Sequence, residues 1–506
     1  MDKTKKYSQN KIKLYLDKLL FICFLLGGFL LWENAEAADY YVRADATGSN
    51  NGSDWTNAYT ALPATLDRGD SGSTYYIADG NYGGYVFDTT NAAVDGTKII
   101  TIKKATVAAH GTETGWSDTY GDGQAVFQQP DDFSNTDRIH VFRIGVSYIT
   151  VDGVVGSGSN PATYGFEFLQ HPSYGDAENV SPYQNAFSLI DVGGIGWRTR
   201  TITNIKLFHI ATIGSGDISC TTGTPYECTS EGFNVYFATT QGGSFDDVEI
   251  GYVYAYGFKE NINVMGGSNA SVHHGYFLDN VSDPVGGHGQ NMNLNTVDEV
   301  DIYDNIFKDS ETFCIAAHDT YPGQTNNTRI YNNIFVGSEG MTRCIAAMTG
   351  TTDVIWSMQL HHNTFVNMGA APLRVQTVTD IEANKSYVYN NLFYNCTNVD
   401  LTNSGISEGS IVHDYNAYIS SSGYTTTTHN QIDDDGADPF VDSDNGDFNL
   451  KAGTLPINNG KTDLEATYAY DFAGTERGAS PDIGAYEYVG VADTIAPASP
   501  TGLAVT

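Results

Sequence analysis

The chain is short of positive charge: 25 Lys and Arg stand against 60 Asp and Glu in 506 residues, a formal net charge of −35. Such a surface repels nucleic acid and anionic membranes, so both are excluded as partners. Cysteine is also scarce, with 6 in all, and none has the CxxC spacing of a metal site. No apolar run reaches the roughly 20 residues of a membrane span. The longest, Leu19–Trp32, has 14. Preceded by Lys3, Lys5, Lys6, Lys11, Lys13 and Lys18 and followed by Ala35-Glu36-Ala37, it reads as a signal peptide over 1–37. The expectation is a secreted or cell-surface monomer that begins at Ala38 and keeps no integral membrane anchor.

What is present is repetition. VHHGYF (Val272–Phe277), IYDNIF (Ile302–Phe307), IYNNIF (Ile330–Phe335), LHHNTF (Leu360–Phe365) and VYNNLF (Val388–Phe393) start 30, 28, 30 and 28 positions apart. Each has apolar ends and an Asn, Asp, His or Gly middle, with no helical stretch between copies. Periods of this size mean stacked supersecondary units. Short strands that recur this way pair with their own copies, which gives a solenoid of parallel strands about 4.8 Å apart.

The pattern extends upstream with longer interruptions. Residues 39–62 begin with a strand and reach a short amphipathic stretch, expected to form a small capping helix over the open first edge. Ser73–Phe87, Lys98–Val107 and Ser147–Gly156 read as strands, and Ile202–Ile213 and Asp247–Gly257 as degenerate copies of the repeat. The opening DYYVRADATGSNNGSDW and the YNNIF/HHNTF units resemble bacterial secreted right-handed parallel β-helix proteins of the pectate-lyase-like superfamily. The closing DFNLKAGTLPINNG…DFAGTERGASPDIGAYEY is similar to a C-terminal segment common on such proteins. The resemblance implies an all-β, right-handed parallel β-helix over 38–418 and a C-terminal cap segment over 419–490. Residues 491–506 look like a linker entering a fibronectin-type module.

The resemblance also implies action on an extracellular polysaccharide, with β-elimination on a uronic acid as the expected reaction. There a cation, often Ca²⁺, neutralises the sugar carboxylate while a Lys or Arg removes the C5 proton. Aligning the strands puts Ile262/Val264, Met292/Leu294, Ile315/Ala317, Ile345/Ala347 and Leu373/Val375 inward. Lys259, Asn261, Asn263, Asn291, Asn293, Cys314, His318, Cys344, Met348, Arg374 and Gln376 are then outward. Lys259 and Arg374 are the candidate base or substrate clamp, with His288 and His318 as further groove residues. Asn291, Asn293 and Gln376 are candidates for substrate binding, although an Asn263–Asn293 pair also fits a structural ladder. Glu231 with Asp246 and Asp247 is the candidate Ca²⁺ set. His273 and His274 share their slot with Tyr-Asp and Tyr-Asn in other copies and read as turn residues. Cys314 and Cys344 are either a disulfide or two stacked thiols, and Cys220 with Cys228 can close a loop.

The Glu-x-Glu cation pair and the Arg-His-Gly of related lyases are absent. Two alternatives therefore stand beside the lyase: a non-catalytic, adhesin-like glycan binder and a glycoside hydrolase. A lyase leaves an unsaturated product that absorbs in the near ultraviolet, whereas a binder leaves no new chain ends.

Overall fold

The structure is a computed structural model that describes residues 37–89, 97–128, 139–170, 187–193, 200–216, 230–237, 242–281, 289–319, 325–337, 343–349, 355–369, 371–375, 386–399, 411–424, 432–464 and 466–490. The expected signal peptide (save Ala37), Cys220, Cys228, His288, Gln376 and the 491–506 linker lie outside these residues.

The described chain winds into a parallel β-helix with three strand-bearing faces per coil. Strands of the first and second faces make one 19-stranded sheet, because Glu260–His273 and Gln290–Tyr303 run unbroken through the corner between them. The third face is a 12-stranded sheet of mostly three-residue strands, such as Tyr276–Leu278 and Ile306–Lys308. Every inter-coil pair is parallel; the one antiparallel strand pair is the C-terminal hairpin, Phe440–Asp442 with Asp447–Leu450. Parallel connections wind right-handed because of strand twist, the hand the resemblance implies. This is the expected solenoid, extended one third-face strand past 418 by Ile432–Asp434.

The corner between the second and third faces explains the sequence repeat residue by residue. Its first position packs in the core: Val272, Ile302, Ile330, Leu360 and Val388. The third takes a left-handed conformation, φ 53–59°, at His274, Asp304, Asn332, His362 and Asn390. Asn and Asp enter that region at lower cost than most side chains. The fourth position is an amide ladder. Asn305 Nδ2 donates to Asn333 Oδ1 (3.0 Å), Asn333 to Asn363 (3.0 Å), Asn363 to Asn391 (2.9 Å) and Asn391 to Asn416 (3.1 Å). Each Oδ1 also accepts the backbone N–H of the preceding ladder residue, and each Nδ2 reaches a core-strand carbonyl such as Val272 O or Ile302 O. The sixth position is a ring column, Phe277, Phe307, Phe335, Phe365, Phe393 and Tyr418, with centroids 4.8–5.2 Å apart. Ring spacing here is simply rung spacing. His273 and His274 are thus turn residues, in keeping with their slot in the repeat.

The capping helix expected within 39–62 does not form. Among the described residues there is no α-helix at all. Asn51, Asp54 and Asn57 instead bond nearby backbone N–H groups, as in Asp54 Oδ1 accepting from Asn57 N at 2.8 Å. Such local bonds compete with helix formation. The first coil is covered by a buried Trp55 packed with Tyr41, Ala58, Ala78 and Ala105.

At the other end, the C-terminal segment folds back over the outside of the third face. Phe440, Phe448, Leu450, Ile483 and Ala485 pack with Ile334, Val366, Leu392, Ala417 and Ile419. Buried Arg477 pins the segment to a corner by donating to Asn332 Oδ1 (3.0 Å), and pairs within the segment with Glu487 Oε2 (3.2 Å). Cys314 and Cys344 are unbonded buried thiols with Sγ atoms 2.6 Å apart, and Cys396 is a third.

Two outcomes follow. Asn333→Ala strands the Asn305 amide and the Ile302 carbonyl in the core, so urea denaturation should show a loss of about 1–3 kcal/mol with an unchanged slope. Asp304 gives a pH signature. Burial raises its carboxyl from 3.8 to about 7, with Asp471 adding to the rise and Asn332 and Arg477 opposing it. Its folded value lies above the unfolded one, so the stability it contributes is complete below the unfolded value and is lost as pH rises through about 7. The neighbouring His274 is held down to about 4, chiefly by burial, and acts only below its unfolded value of 6.5. Between about pH 6.5 and 8 the wild type should therefore lose stability, and Asp304→Asn should flatten that slope in urea titrations.

Candidate functional site

The first face breaks the period-2 rule once per coil. Register runs Ser188↔Glu231↔Glu260↔Gln290↔Phe313, then jumps to Ile190↔Phe233↔Ile262↔Met292↔Ile315. The residues skipped, Leu189, Gly232, Asn261, Asn291 and Cys314, form a stacked bulge. An extra residue at this point moves everything before it to the opposite side. Asn261, Asn291, Cys314 and Cys344, expected outward, therefore face the interior: Cys314 and Cys344 join the core, and Asn261 Nδ2 donates to Asn291 Oδ1 (2.7 Å) with both side chains fully buried. Asn291 is an internal ladder residue, and its expected role in substrate binding is corrected accordingly. Ile262, Val264, Met292, Leu294, Ile315, Ala317, Ile345 and Leu373 face inward as expected.

On the outer side, two polar columns result. One is Ser188, Glu231, Glu260 and Gln290; Ser188 Oγ donates to Glu231 Oε2 (2.6 Å) and Gln290 Nε2 to Glu260 Oε1 (3.4 Å). The other is an amide relay ending on a carboxylate. Asn293 Nδ2 donates to Asn263 Oδ1 (3.0 Å), Asn263 to Asn234 (2.8 Å), and Asn234 to Asp191 Oδ1 (2.8 Å). The second Asp191 oxygen faces His140 Nε2 (3.6 Å) and Arg143 Nε (3.7 Å). Lys259 adjoins Glu260 and has its backbone N–H held by Ser230 Oγ (2.9 Å). These groups are outside the hydrocarbon core, since Phe313, Ala316 and Ala346 of the same columns form a separate small cluster. They are nonetheless buried: relative exposure is 0% for Asp191, 1% for Glu231, 5% for Lys259 and 8% for Glu260. Ionisable groups that cluster out of water away from the core are the signature of a functional site.

Glu231 and Asn293 lie in these two columns with Glu260, an acidic neighbour already visible in the sequence, and with Asp191, His140 and Arg143, which sequence reasoning missed; Lys259 precedes Glu260 in the strand. Asp191, His140 and Arg143 come from coils whose irregular spacing hides the repeat. His318 pairs in register with Asn295, and Arg374 stands at the foot of the amide column through Ala316 and Ala346. The side chains of His318 and Arg374 lie outside the described residues, as do His288 and Gln376. The expected Ca²⁺ set is not brought together. Glu231 pairs with Glu260 on the first face, whereas Asp246 pairs with Ser268 on the second, beyond the Gly266 corner. Asp246 and Asp247 instead accept from Asn269 Nδ2 (2.5 Å) and Asn204 Nδ2 (3.2 Å). Among the described residues no group of three or more His, Cys, Asp or Glu is disposed to hold a metal ion. Glu231, Asp246 and Asp247 therefore do not form one ligand set.

No family model and no curated protein matches the chain. Among solved structures it is similar to pectate lyase Pel9A at 15% identity, over 89% of this chain and 96% of that one, with a TM-score of 0.41. A complex of XylC with xylose aligns at 10% identity over 89% and 98%, TM-score 0.42. A rhamnogalacturonan lyase aligns at 14% identity over 87% and 99%, TM-score 0.36. The fold rests on this chain's own strand register, and the chemistry on its own residues.

Glu231 and Glu260 stand on adjacent rungs about 4.8 Å apart. Two carboxyls buried on neighbouring rungs disfavour each other's charge. Glu260→Gln is expected to raise the urea midpoint, as residues kept for function rather than stability do. A lowered midpoint would mark the pair as structural.

Proposed function

We propose that the protein is a secreted, carbohydrate-active β-helix that cleaves a uronic-acid-containing polysaccharide by β-elimination on its first face. The single observation that carries this reading is the buried polar assembly of Glu231, Glu260 and the Asp191-terminated amide column, with Lys259 next to Glu260 in the chain. Lys259 is the base or clamp: it takes the C5 proton, the freed electron pair forms the C4–C5 double bond, and the C4–oxygen bond breaks with the leaving chain. The Asn234, Asn263 and Asn293 amides offer donors and acceptors to sugar hydroxyls. Arg374 is placed in the same reading as a second clamp farther along the column.

A second reading, a glycoside hydrolase, is favoured by one specific feature. Glu231 and Glu260 are two buried carboxyls on adjacent rungs of one face, the residue pair that glycosidases use on either side of a glycosidic bond.

Purified protein offered pectate, alginate, glucuronan and chondroitin, with and without EDTA, separates the readings. The lyase yields an unsaturated product absorbing in the near ultraviolet; the hydrolase yields new reducing ends without that absorbance. Lys259→Ala should lower kcat by about 10²–10⁴-fold if Lys259 is the base. Undiminished cleavage by a Lys259→Ala, Arg374→Ala double variant removes both from the mechanism.

A further inference from the structure

The second face carries a separate open groove of about 560 Å³ whose lining comes from four successive rungs. Its floor is a column in register, Ser271↔Asp301↔Arg329↔Gln359, with Asp301 and Arg329 joined by two parallel bonds: Nε to Oδ1 (2.5 Å) and Nη2 to Oδ2 (2.6 Å). Glu299 and Asn327 edge it. Asn269 (φ 56°) and Glu299 (φ 53°) are left-handed at the groove's edge, and the Asn269 amide donates to Asp246 Oδ1 on the preceding rung (2.5 Å). Tyr468 of the C-terminal segment adjoins it, its hydroxyl donating to Gln359 Oε1 (2.9 Å).

We infer that this groove binds a neutral, hydroxyl-rich polysaccharide at a site distinct from the first face. The lining is almost wholly polar and mixes donors with acceptors, as paired sugar hydroxyls demand. It offers no apolar pocket to anchor a peptide side chain, and the floor's backbone groups are already paired within the sheet, so strand addition is closed. Glu299 and Asp301 outnumber the one lining guanidinium, and that guanidinium is already engaged, so the groove disfavours a uronate chain. Four rungs span roughly 14 Å, room for a short oligosaccharide segment. The inference does not rest on the first-face chemistry.

Affinity electrophoresis in gels containing galactomannan, arabinoxylan or mixed-linkage β-glucan tests it, with pectate as the acidic comparison. At least one neutral gel should retard the wild type and Glu260→Gln equally. Arg329→Ala, and Ser271→Trp or Asn327→Trp filling the groove, should weaken that retardation by at least about tenfold, given the worth of a charge-assisted bond. All three positions are on the solvent side of the sheet, and unchanged thermal melting verifies the fold of each variant. Retardation by no neutral gel overturns the inference. So does retardation that survives all three groove variants, or that disappears in Glu260→Gln.

Discussion

The architecture depends on one side-chain amide used over and over at the corner between the second and third faces. Each asparagine there donates to the next rung's amide oxygen and to a core-strand carbonyl while accepting a backbone N–H. That satisfies a bent backbone which would otherwise leave buried polar groups unpaired, a cost of about 1–3 kcal/mol each. It also favours one register, because a one-residue slip moves the phenylalanine out of its core column. The phenylalanine column, the left-handed corner residues and the outward columns are in register because the amides are.

Given that register, bulges decide function. On the first face an extra residue per coil turns Asn261 and Asn291 inward and leaves carboxyls and amides stacked outside. On the second face the left-handed Asn269 and Glu299 border a polar groove. In a solenoid a local irregularity is copied rung after rung, so a single bulge becomes a ribbon of chemistry along the axis.

The C-terminal segment completes the molecule in two ways. It covers apolar side chains on the outside of the third face, which a bare solenoid would expose, and it brings Tyr468 to the rim of the second-face groove. Its attachment runs through Arg477, Asn332 and Asn390, all on or beside the corner ladder. Cap and corner are therefore coupled, and the shifted Asp304 lies where they meet.

The sequence by itself determined the coil, the inward apolar columns and the turn role of His273 and His274, because every copy repeats the same instruction at a period of 28–30 residues. It also singled out Glu231 and Asn293, whose strands lie on the first face. What only the tertiary structure decided was side and neighbourhood. Alternation predicts outward faces for Asn291 and Cys314, but a bulge is a matter of hydrogen-bond register between coils and is invisible in any single strand. Likewise Glu231 and Asp246 are 15 residues apart in the chain yet belong to different faces, since a corner lies between them. Asp191, by contrast, reaches the assembly from a coil more than forty residues upstream, because stacking rather than sequence distance sets which side chains meet.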